Sequence, residues 1–388
     1  MKSFPNAGSL TKLHKVILPV TAVSVLLLPA MPATAANITW IGNNLDWSDG
    51  TGNNANWNPA DEPDADDTAI FSTANAVNLG SSNAILGLTM SAGMDLSTNG
   101  FNLDVNGPVQ LTGSSTNLIV SGAGSALSAD GITINSLAKL QIDEGTVTVN
   151  EESGDGLLDI NTGGELLGHG ILNMTDAVAA NTTLIFNDGT ITARSTALII
   201  FGAPPVGTLS LNAADADARI DLDGAAEAGA VTVSRNQTLD LNIPLADAFN
   251  GSMSLFQESV LDMSAAWTLA GGSITADNGF IAGAFPLPSV PAGVSIIKGP
   301  ALTQTGGTIT VVDGDGTLQF DAPFNMTGGT LNNNGLVVFN ANATIGAAAA
   351  FNMVGDNASI TVGAGRTVQI QQTNFDLDGP LVGGSAIT

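Results

Sequence analysis

One short unit, written twice in succession, governs what this chain can fold into. The first copy opens TGGTIT at Thr305 and the second opens TGGTLN at Thr327, 22 residues later. Each continues through a polar, glycine-containing turn into a second apolar run, Thr317-Leu318-Gln319-Phe320 in one and Leu336-Val337-Val338-Phe339 in the other. The unit is therefore turn, strand, turn, strand. So short a unit cannot enclose a core. It must stack on a neighbour of its own kind, and a period of about 20 residues is that of a solenoid.

The same grammar extends over most of the chain. From Asn75 onward, short runs rich in Val, Ile, Leu and Thr alternate with Gly, Asn and Asp: Ala84 to Met90, Phe101 to Val105, Leu118 to Val120, Ile132 to Ile134, Leu140 to Ile142, Thr146 to Val149, Leu157 to Ile160 and Leu184 to Phe186. Such runs closed by turn residues are strands, and their close spacing leaves no room for crossover helices. Further copies of the unit start at Gly145-Thr146, Gly163-Gly164, Gly189-Thr190 and Gly271-Gly272-Ser273. Their intervals are irregular, so the coils must differ in loop length. The stretches Gly202 to Gly207 and Gly283 to Gly293 carry prolines, which cannot donate to a ladder, so both read as loops leaving the stack. The unit resumes at Gly306, which favours one continuous domain.

Ahead of the repeats stand two other segments. Residues 1–35 have a basic head in Lys2, Lys12 and Lys15, an uncharged apolar run from Val16 to Leu28, and the small residues Ala33-Thr34-Ala35, the pattern of a signal peptide cleaved before Ala36. Residues 36–75 hold three of the four tryptophans, Trp40, Trp47 and Trp57. The first coil of a solenoid exposes apolar surface and an open strand edge, which large aromatics over a Gly/Asn/Pro-rich loop would cover. The competing use of the three rings is a platform on which sugars stack.

The order Trp40, Gly42, Trp47, Asn56-Trp57, Pro63, Asp67, Ala69, Phe71, with the Gly-Gly-[Thr/Ser]-[Ile/Leu] units that follow, resembles secreted bacterial proteins with autotransporter-associated β-strand repeats, including autotransporter passengers and PEP-CTERM-type proteins. That resemblance implies a right-handed parallel β-helix, a cell-surface or extracellular location, and adhesive or matrix roles. The chain departs from the pattern at its end: it closes on Gly383 to Thr388 with neither a barrel signature nor a Pro-Glu-Pro motif. The expectation is an all-β, right-handed parallel β-helix (β-solenoid) over residues 76–388 with an N-terminal aromatic cap, truncated at its C-terminus or attached by another route.

Charge and residue inventory narrow the function. Beyond residue 35, six basic residues, Lys139, Arg194, Arg219, Arg235, Lys298 and Arg366, face all 35 acidic ones. Nucleic acid and anionic lipid are poor partners for such a chain. Cell-surface glycans or copies of the chain itself are the expected partners, and no membrane-spanning segment is expected once the leader is removed. There is no cysteine, and His169 is the one histidine after the leader, so thiol chemistry and multi-histidine metal sites are excluded.

Acidic clusters remain as candidate sites. Asp217 and Asp221 lie in one, Asp313 and Asp315 in another, and carboxylates beside Gly turns can hold calcium, although neither an EF-hand loop nor a calcium β-roll nonapeptide is present. No other cofactor and no catalytic residue is expected. Solvated turn aspartates are the plainer reading, with Arg219 in a turn ion pair and His169 pointing away from the core into solvent. A β-helix enzyme acting on polysaccharide is the rival from another class. Thr-x-Thr pairs at Thr146/Thr148, Thr190/Thr192 and Thr308/Thr310 raise ice binding, but uneven coil lengths argue against a continuous threonine row.

Overall fold

In the computed structural model, most strands alternate buried and partly exposed residues, as Thr116–Ser121 and Ile309 to Val311 illustrate, so one side of these strands faces a shared interior. The structure describes residues 35–42, 46–48, 56–73, 75–91, 93–150, 156–175, 182–195, 206–224, 228–277, 293–312, 316–354 and 358–372, together with the backbone of 381–382 and 386–387. These residues form an all-β solenoid of parallel strands with no helix among them.

Three faces wind around the core, and most coils contribute a strand to each, with isolated bridges at Asp46, Leu245 and Phe249 standing in where a strand is missing. The second face runs from Ala76–Asn78 through Asp95–Ser97 and Thr116–Ser121 to Ala350–Met353. The third runs from Asn83–Ile85 to Leu381–Val382. The first opens with Asn37–Trp40, Thr68–Phe71 and Gly87–Met90, and its later strands run from Trp267–Leu269 to Ala386–Ile387. Four long strands, Asn102–Leu111, Ala126–Ile134, Ala138–Val149 and Glu165–Met174, turn a corner and pair on two faces. Thus Leu140 to Ile142 and Thr146 to Val149, read from sequence as separate short strands, are two sides of one bent strand, whereas Ala84 to Met90 divides between Asn83–Ile85 and Gly87–Met90.

The Gly-Gly signature has a steric cause at the corner between first and second faces. Gly307 and Gly329 adopt φ of +63° and +75°, and a Cβ on Gly307 would stand 2.0 Å from the carbonyl oxygen of Gly271 in the coil before. Only glycine fits both demands. Buried amides lock the same corners: Gln304 donates to the carbonyls of Gly307 and Thr330 at 3.3 and 3.0 Å, and Asn187 donates to that of Leu222 at 2.7 Å. Each satisfies backbone groups where the ladder breaks.

The tryptophans belong to the first coil itself. Trp40, Trp47, Trp57 and Phe71 are all essentially inaccessible, with ring centroids 4.9–5.7 Å apart. Trp57 meets Trp40 and Trp47 edge-on at 81° and 61°, and its indole N–H donates to the carbonyl of Trp47 at 3.0 Å. Strand Asn37–Trp40 is paired on one side with Trp57–Asn58 and on the other with Thr68–Phe71, so its edge is closed. Rings buried edge-on have no open face for a sugar.

The parallel ladders continue across both proline-bearing stretches. Residues 202–205 and 283–292 lie outside the described residues, yet Val260 pairs with Ile296, and Ser273 pairs with Thr308, across the second of them. Residues 1–34, which hold the basic head and apolar run of the expected leader, also lie outside the described residues. Among the described residues no helix is long and apolar enough to cross a membrane.

Candidate functional site

Solenoid winding assembles carboxylates that the sequence keeps apart. The strand Ala218–Asp221 ends on the first face, the chain turns through Asp223 and Gly224, and one coil later Asp247 comes to the same corner by way of the bridge between Ile220 and Leu245. Carboxylate oxygens of Asp221, Asp223 and Asp247 all lie within 4.8 Å of one another. Asp221 Oδ1 accepts from the backbone N–H of Gly224 at 2.7 Å and of Asp223 at 3.3 Å. Asp223 is 3% exposed, and its Oδ2 accepts from the N–H of Asn250.

These surroundings set the protonation state of Asp223. Burial penalises its anion most, and the neighbouring charges of Asp221 and Asp247 add to this. Together they outweigh the hydrogen bond from Asn250 and push its pKa up to about 6 from 3.8. Below about pH 6 it is a neutral acid rather than a third like charge.

The candidates read from sequence separate at this point. Asp221 is in the cluster; Asp217 is not, its N–H instead bonding Asp215 Oδ1 at 2.8 Å in a local turn. Asp313 and Asp315 lie outside the described residues. Arg219 turns its guanidinium to the carbonyls of Ala216 and Ala218, at 2.9 and 2.7 Å. Asp247 was missed because nothing in a local run of acids marks it. The available signal was its position one coil after Asp221.

His169 corrects the expectation of a solvated side chain. Only 17% of it is exposed, with Nε2 3.4 Å from Asp143 Oδ1 and 3.9 Å from Glu144 Oε1. Strand alternation fails there because Gly168, at φ +129°, carries the chain around a corner, and Gly207 of the next coil packs across the His169 Cβ.

Elsewhere, a groove of about 400 Å³ on the first face is lined by Thr68, Leu86, Leu88, Thr89, Pro108 and Gln110. It has no titratable side chain, so acid–base chemistry has no donor there. Neither a family model nor a curated protein nor a solved structure matches this chain.

Proposed function

We propose that this chain is an exported structural or adhesive protein of a bacterial surface or extracellular matrix, in which the solenoid serves as a spacer and scaffold. The observation that carries this reading is the continuity of the parallel ladders, which spend nearly every strand on stacking. The leader-like segment and the resemblance in the tryptophan stretch support export. An intact-mass measurement on exported material is expected to find the chain starting at Ala36 or within a residue or two of it. Retention of Lys12 and Lys15 would remove the export half of the proposal.

Catalysis is the rival, and Asp223 is its best argument, because a carboxyl with a raised pKa beside a second carboxylate is how glycosidases are equipped. Poor access supports the structural reading over this one. A general acid must reach the glycosidic oxygen, and a side chain 3% exposed and bonded to Asn250 cannot. We therefore expect no turnover across a panel of neutral and acidic polysaccharides in a reducing-end assay. Sustained product formation lost in both Asp223→Asn and Asp221→Asn would replace the structural role with an enzymatic one.

A further inference from the structure

The second face carries a second, independent feature. Five successive strands, Ala230–Val233, Ser252–Phe256, Ser273–Asp277, Thr308–Val311 and Thr330–Asn333, pair in parallel. Residue for residue, Thr232, Ser254, Thr275, Thr310 and Asn332 form one outward column, and Ala230, Ser252, Ser273, Thr308 and Thr330 form a second beside it. Uneven coil lengths, which argued against a continuous row, leave the columns intact because the strands pair in register from coil to coil.

Three properties set these columns apart. Neither contains a charged or aromatic side chain, although the chain has 35 acids and the equivalent outward positions of the third face include Asp240, Asp262 and Lys298. All ten positions are partly or fully exposed, whereas the residue between each pair, Val231, Met253, Ile274, Ile309 or Leu331, is fully buried and fixes the backbone. Within the described residues, the hydroxyls of Thr232, Ser254, Thr275, Thr308 and Thr310 make no hydrogen bond to the protein, unlike that of Thr192, which bonds Glu165 at 3.1 Å. They are left for solvent.

We propose that this face binds ice. Strands roughly 4.8 Å apart and side chains roughly 6.6 Å apart along each strand make a two-dimensional grid of hydroxyls and methyls. Threonine, at five of the ten positions, is stiff at χ1, so much of the grid is set before water arrives and little side-chain freedom is lost there on binding. Waters held at such a repeat are ordered into rows, which a growing ice surface can adopt. A charged surface would instead orient water around each ion. A crystalline polysaccharide is the less favoured occupant, since sugar recognition rests on aromatic faces and the columns have none.

The test is inhibition of ice recrystallisation by the purified chain, with the double variant Thr275→Lys/Thr310→Lys and, as a control on the third face, Thr148→Lys. Wild type and T148K are expected to keep ice grains small, and the double variant is expected to lose the effect while melting at the wild-type temperature. Failure of wild type to inhibit, or equal inhibition by the double variant, overturns the proposal. So does binding of wild type but not the double variant to crystalline cellulose without any effect on ice, which would assign the face to a glycan.

Discussion

Trp57→Ala is expected to lower the unfolding stability of the chain by about 3 to 5 kcal/mol, the range for emptying a buried large aromatic site. The indole contacts Trp40, Trp47 and Phe71 together, so its removal leaves a void lined on three sides by rings. It also strips the Trp47 carbonyl of its 3.0 Å partner. Strand Trp57–Asn58 then holds the edge of Asn37–Trp40 by backbone bonds alone. Because stability in a solenoid is summed from neighbouring coils, the loss should start at the first coil: tryptophan fluorescence should report it at lower denaturant than far-ultraviolet circular dichroism. A loss below about 1 kcal/mol would mean that the rings are not the cap described above.

Asp223→Asn is expected to stabilise the protein at neutral pH by up to about 3 kcal/mol, the equivalent of a pKa raised from 3.8 to about 6. The sign follows from proton binding. Between those values the folded state holds a proton that the unfolded state has released, so stability from this group is fully present below 3.8 and is lost as pH rises through about 6. Asparagine mimics the protonated acid, keeping an acceptor for Asn250 and a donor toward Asp221, at every pH. The variant and wild type should therefore match below about pH 4, diverge as pH rises from there, and differ by the full amount above about pH 6, measured as the difference in denaturant midpoints. If a divalent cation occupied the three carboxylates, the substitution would destabilise at neutral pH instead, and a chelator would weaken wild type. The sign of the difference thus separates the two states of this corner.

Much of the architecture could be read from residue order because a solenoid repeats its local rules. Thr305-Gly306-Gly307 and Thr327-Gly328-Gly329 announce the corner directly, since positive φ and backbone crowding leave glycine no substitute. The strands around Leu118, Leu140 and Leu184 followed from short apolar runs closed by turn residues. What stayed hidden was whatever depends on which coil lies above which. Asp247 joins Asp221 and Asp223 only through winding, and the threonine columns show only once Ser273 is seen to sit on Thr308 across a long loop. His169 misled for a local reason: a period-two pattern cannot register that the strand bends at Gly168.

The direction of the ladders carries a mechanical consequence. Backbone hydrogen bonds such as that from the N–H of Thr330 to the carbonyl of Gly307, at 2.9 Å, join one coil to the next and so lie along the stacking direction. Tension applied between the two ends loads them a coil at a time rather than in shear. Each coil that peels away gives up roughly 70 Å of slack, for the 22-residue spacing between Thr305 and Thr327. A solenoid built this way yields gradually under pull, lengthening by steps while the coils not yet reached stay folded.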